Sequence, residues 1–178
     1  MNKMIKLRNF CMLLVLLGLI SCDDKATTQT TQRQQAPASN NTLALQGIEQ
    51  MKAQVAMNPN DFASLSTLAD MYFESGQYID AFNTYDKAIA VNPNCADCFN
   101  DRGLCLFYLG DATSALESFN KAVTIDPNYV HAWLSMGFVL TSEGRFQEAV
   151  TPLNKVKELD PTGPLGIQAD KFLAMGAK

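Results

Sequence analysis

Pro59, Pro93, Pro127 and Pro161 stand 34 residues apart without drift, and Gly76, Gly110 and Gly144 keep the same interval. A fixed period of this kind marks a chain built by stacking one supersecondary unit on the next. Each unit contacts only its neighbours, so the core is continuous along the array. Function in such a chain lies on a long shared surface, and the question becomes what that surface binds.

The period divides the chain into repeats at 62–95, 96–129 and 130–163. Corresponding apolar slots hold Leu65, Leu68, Tyr72, Ala81 and Tyr85 in the first repeat. They hold Phe99, Leu106, Ala115 and Phe119 in the second, and Trp133, Met136, Leu140, Ala149 and Leu153 in the third. Spacings of three and four residues place these on one buried helical stripe. Glycine after each first run permits the left-handed turn into the next helix. Asn-Pro or Asp-Pro closes the second helix, because the residue before proline is pushed out of the helical region. Ala69, Gly103 and Gly137 face Ala81, Ala115 and Ala149, which predicts close approach of the paired helices.

These slots and this period resemble the tetratricopeptide repeat family from about Phe62 to Pro161. The resemblance implies an all-α fold, a right-handed superhelical solenoid of antiparallel helix pairs. Arg102 departs from the pattern, a charge where the family has leucine; its stem is expected to lie along the helix with its head in water. Residues 42–61 read as an N-terminal capping helix or partial repeat, with Leu45, Ile48, Met51, Lys52 and Val55 on a partial apolar face. Residues 164–178 read as a C-terminal capping helix carrying Leu165, Ile167, Phe172 and Leu173. Pro152 inside the last second helix predicts a bend.

The N-terminus speaks to location. Lys3, Lys6 and Arg8 precede an apolar run from Phe10 to Ile20, and Leu19-Ile20-Ser21-Cys22 follows. The run is of signal-peptide length, short of the roughly 20 residues a membrane span needs. The segment resembles a bacterial lipoprotein signal: 1–21 is removed and Cys22 is lipidated to become the first mature residue. Residues 23–41 contain no large apolar side chain and read as a tether. As a coil it would reach roughly 25 Å. Asp23 and Asp24 resemble an inner-membrane retention signal of enteric bacteria, and other bacteria read such residues differently, so either membrane is compatible. The expected location is the cell envelope, with the repeats outside the cytoplasm.

Cleavage removes three basic residues from the formal −4, leaving 11 basic against 18 acidic, a net −7. That balance argues against a nucleic-acid partner, which calls for a basic stripe. Cys95 and Cys98 are spaced C-x-x-C at the start of a helix. Packing as small apolar groups ranks first, a structural disulfide second and redox chemistry last. A zinc site from Cys95, Cys98, Cys105 and His131 lacks a recognised spacing. With one histidine, no Gly-rich phosphate loop and no nucleophile triad, the chain reads as neither an enzyme nor a cofactor protein, apart from the covalent lipid.

In the family that the repeats resemble, first helices line a concave surface. Carried over by position, that surface comprises Asp70, Phe73 and Glu74, then Asn100, Leu104, Phe107 and Tyr108, then His131, Leu134 and Phe138. Ala63, Ser66, Asp97, Thr141 and Ser142 fill the remaining positions. The family's chaperone-binding members clamp a terminal carboxylate with Lys, Arg and Asn, and only Asn100 matches that set. The groove is expected to be acidic at one end and aromatic or aliphatic from the second repeat on, which suits a partner's helix or extended peptide. The implied role is a noncatalytic adaptor for assembly of a pilus, secretion or outer-membrane complex. A self-assembling scaffold whose incomplete ends pair between chains is the leading rival, and a redox accessory protein using Cys95 and Cys98 is the third reading.

Overall fold

The structure is a computed structural model that describes residues 38–176, with side chains from Ala44 onward. The leader, Cys22 and most of the tether lie outside the described residues. Helix α1 spans Ala38–Met57, so its first turn uses residues assigned above to the tether. Three helix pairs follow: α2 (Phe62–Glu74) with α3 (Tyr78–Val91), α4 (Ala96–Tyr108) with α5 (Ala112–Ile125), and α6 (Val130–Ser142) with α7 (Phe146–Leu159). Helix α8 (Pro164–Met175) closes the array, and the described residues contain no strand.

The helix boundaries follow from local chemistry. Gly76, Gly110 and Gly144 have φ of 75°, 91° and 72°, a left-handed conformation that side chains resist. Asp61 caps α2 by accepting from the Ser64 amide at 2.9 Å, and Asp111 caps α5 by accepting from the Ser114 amide at 2.9 Å. Hydrogen bonds from those serines hold both carboxyls below their ordinary pKa.

At the start of α4 the same pair of positions is occupied by Cys95 and Cys98, and there the two sulfurs are bonded as a disulfide. Cys95 Sγ also accepts from the Cys98 amide at 3.0 Å. Packing as free thiols, ranked first from the sequence, therefore gives way to the bridge. The physical reason is positional: the N-cap and third helical residues already bring their side chains together, as the Asp61–Ser64 hydroxyl contact shows in α2. Cys105 is a free, fully buried thiol, pushed up to about 12 chiefly by burial.

The core runs along the array. Ala69, Ala81, Ala88, Ala115, Ala122 and Ala132 are all 0% exposed, and the small residues bring helices close enough to seat Tyr85, Phe119 and Leu153. A Cβ on Gly103 would stand 2.5 Å from the Phe119 ring, and one on Gly137 would stand 2.2 Å from Leu153. Pro152 is buried inside α7, which runs unbroken from Phe146 to Leu159. Arg102 is a correction. Its guanidinium pairs with Asp86 of α3, lies 4.8 Å over the Phe82 ring and reaches Ser118 of α5, so its head binds neighbouring helices.

Both end helices use narrower faces than expected. Among the described side chains of α1, only Ile48 is buried, Met51 and Val55 are half-buried, and Leu45 is exposed, while Lys52 pairs with Glu49 at 2.7 Å. On α8, Leu165, Phe172 and Leu173 pack against the last repeat, and Ile167 points outward. Asp160 caps α8 by accepting from the Leu165 amide at 3.0 Å.

The disulfide leads to a first expected result. In denaturant without reductant, an alkylating reagent should label Cys105 but not Cys95 or Cys98, and reductant should expose all three. Replacing both bridged cysteines with Ser should cost less than the roughly 3 kcal/mol expected of a 15-residue loop, because this loop is far shorter. Rapid labelling of Cys98 in the native, unreduced protein would contradict the bridge.

Candidate functional site

The first helices of successive repeats pack on one another, α2 on α4 and α4 on α6, whereas α3, α5 and α7 form no such close pairs among themselves. An array whose first helices touch while its second helices diverge curves with α2, α4 and α6 on its inner side. That geometry puts the candidate surface on the concave face.

Rings run along this face in a connected series. Tyr78 lies 5.6 Å from Phe73 and stacks on Tyr108 at 4.7 Å. Phe73 is 5.9 Å from Tyr108, which lies 5.7 Å from Phe107. Phe107 meets Phe138 at 5.3 Å, and Phe138 meets Phe172 of α8 at 5.8 Å. Tyr108 is the open member, 44% exposed, and Glu74 beside this row is exposed too. Burial, then the neighbouring Tyr78, raises the Tyr108 phenol above its ordinary pKa.

A second group is polar. Tyr85 of α3 donates its hydroxyl to Asp70 of α2 at 2.6 Å. Tyr129, at the start of α6, donates to Asp97 of α4 and places its ring 5.7 Å from that of His131, which is exposed. Asn100 is 4% exposed, and its Nδ2 donates to Asp101 at 3.0 Å while its Oδ1 has no donor. A buried carbonyl without a donor costs about 1–3 kcal/mol. Burial first, then the charges of Asp101 and Asp70, push the Tyr85 phenol far above its ordinary value. Burial and then Asp97, Asp101 and Asp70 do the same to Tyr129. Both hydroxyls therefore stay protonated as donors.

The structure thus divides the expected set. Phe73, Phe107, Tyr108 and Glu74 gather at the aromatic row, while Asp70, Asn100 and His131 gather at the polar group. Leu104 packs into the core around Phe119 and Val139 and is half-buried. Leu134 is a correction: at 3% exposure it belongs to the core that α8 closes, and Phe138 is half-buried against Phe172. Tyr78, Tyr129 and Asp101 were absent from the expected set. Tyr78 follows the Gly76 turn, where the other repeats carry Ala112 and Phe146, so the period gave no sign of it.

Tetratricopeptide repeat models match residues 60–128 and 130–162. The chain belongs to the tetratricopeptide repeat family. Among solved structures, a crystal structure of MamA is 25% identical, with TM-score 0.63 over 69% of this chain and 72% of that one. The Arabidopsis OM64 TPR domain is 25% identical, with TM-score 0.59 over 64% and 93%. The first TPR of Spaghetti (RPAP3), solved bound to an HSP90 peptide SRMEEVD, is 23% identical, with TM-score 0.60 over 66% and 94%. No curated protein sequence matches the chain. Among the described residues no helix is long and apolar enough to cross a membrane, and no three His, Cys, Asp or Glu side chains could hold a metal ion.

Proposed function

We propose that the protein is a noncatalytic adaptor of the bacterial cell envelope, held to a membrane by lipid on Cys22, that binds a peptide or helix of a partner protein on the inner face of α2, α4 and α6. The observation that carries this reading is the row of rings whose open member is the exposed Tyr108. Aromatic groups on a concave surface supply large contact area at small entropic cost. A shared fold with the RPAP3 domain, solved bound to a peptide, supports a peptide partner, as a fold-level argument. The sequence SRMEEVD itself is acidic, and the carboxylates along this face disfavour a ligand of that charge. The leader ending in Ser21-Cys22 supports envelope anchoring, and the cystine fits an oxidising compartment. Within the envelope, assembly of a pilus, secretion or outer-membrane complex is the process such an adaptor would serve.

A photo-crosslinking residue at position 108 tests the reading in intact cells. A discrete adduct should form from position 108 and not from position 121, an exposed site on α5. Adducts from position 121 alone would move the partner to the convex side. Anchoring is tested separately. Cys22→Ala should release the protein or leave an unprocessed precursor, and a mature N-terminus other than lipidated Cys22 in mass spectrometry would refute it.

A further inference from the structure

We propose that the docking surface continues out of the groove onto the edge formed by the start of α3 and the end of α4, and that it takes an amphipathic helix of the partner with basic residues flanking its apolar face. The inference rests on the groove reading and names the chemistry of the partner. Helix α3 packs on α4, and the Tyr78–Tyr108 stack sets the start of one against the end of the other. Phe82 of α3 lies on Arg102 of α4, so these two residues mark the facing stripes. Ile79 stands three residues before Phe82, and Leu109 seven after Arg102, spacings that keep each on its stripe. Yet neither is covered: Ile79 is 63% exposed and Leu109 is 44% exposed. With the open Tyr108 they make an apolar patch that the array's own helices leave to a partner.

The rim of this patch is acidic. The 34-residue period sets Glu74 one unit before Tyr108 and Glu143 one unit after Leu109, and Asp111 follows Leu109 by two residues. All three are exposed. Residues 73–86 and 103–120 contain no Lys or Arg. Arg102 is held by Asp86, and Lys52 of α1 by Glu49. Arg145 interacts with Glu143 but is bound to Glu148 through Nε at 2.7 Å and Nη2 at 2.6 Å, so Glu143, Arg145 and Glu148 together keep a net negative charge. Charge complementarity therefore calls for cations on both sides of an apolar anchor, and the same rim repels an anionic lipid surface. The backbone at this edge is already used. Leu109, Gly110 and Asp111 donate their amides to Cys105, Phe107 and Leu106, and Ser75, Gly76 and Gln77 donate theirs to Met71, Phe73 and Tyr72. These bonds close the ends of α2 and α4 and leave an extended strand no alternating ladder of donors and acceptors, the source of affinity in strand addition. A helix satisfies its own backbone and meets the patch through side chains alone.

The test uses the full-length chain in phosphatidylcholine nanodiscs, with empty discs as the reference. The probes are two synthetic amphipathic helices with the same leucine face, one flanked by lysine and the other by glutamate. The lysine helix should bind and the glutamate helix should not, and binding should weaken as salt is raised. Ile79→Ala combined with Leu109→Ala should weaken it about tenfold. Glu74→Gln combined with Glu143→Gln should weaken it about fivefold, and neutralising these exposed side chains leaves packing intact. In cells, a photo-crosslinking residue at position 109 should give the same protein adduct as position 108. No binding, equal binding of the two helices, or binding that either pair of substitutions leaves unchanged in a folded protein would each overturn the proposal. So would an adduct of position 109 with lipid. An adduct from position 108 with none from position 109 would overturn it and leave the groove reading standing. An adduct from position 109 with none from position 108 would keep the edge and remove the groove.

Discussion

Phe119→Ala is expected to lower the free energy of unfolding by about 3–5 kcal/mol, the cost of truncating a fully buried phenylalanine. Phe119 is 0% exposed on α5, and its ring fills the space left by Gly103. It also joins two repeats, since its cluster includes Ala115 of α5 and Val139 of α6, with Phe107 and Phe138 packed against it. A domain of this size has roughly 5–15 kcal/mol in total, so the loss is a large fraction. Repeat arrays are stabilised by neighbour contacts, so the transition should broaden as the halves on either side of α5 uncouple. Urea unfolding followed by helical circular dichroism measures both effects. A loss below about 1 kcal/mol would show that the site collapses around the cavity, contrary to a core closed by small residues.

Tyr108→Ala should weaken binding of the partner by about 2 kcal/mol, near thirtyfold, with helicity unchanged. Tyr108 is 44% exposed, so its removal leaves no buried cavity, while its stacked contact with Tyr78 holds the ring in place for a partner. Phe107→Ala should have a comparable effect on affinity together with a cost in stability, because Phe107 is half-buried against the Phe119 cluster. Lys121→Ala on α5 should change affinity little. Affinity measured by calorimetry with the crosslinked partner checks the pair. Unchanged binding in Tyr108→Ala, with a well-folded protein, would place the docking surface elsewhere.

The helices were legible because their causes are local. Gly76, Gly110 and Gly144 each take a positive φ, and the residue before each repeat proline leaves the helical region within its own turn. The paired small residues announce close approach because the same slots recur every 34 residues. Even the Cys95–Cys98 contact is local, a helix cap made covalent, although spacing alone ranked it behind simple packing.

What the sequence determined by itself was the repeat, its phase and the side of each helix that turns inward. The tertiary structure alone decided which inner positions stay open. Leu134 and Phe138 share the periodic register of the groove, yet α8 arrives from beyond the last repeat and packs Phe172 against them. Tyr78 reaches Tyr108 across a repeat boundary, and Tyr129, at the close of its repeat, reaches back to Asp97 at the start of α4. Arg102 finds Asp86 sixteen residues earlier in the chain. Periodicity reports what each position does within its own unit. Exposure and charge pairing depend on side chains supplied by other units, and those differ from repeat to repeat.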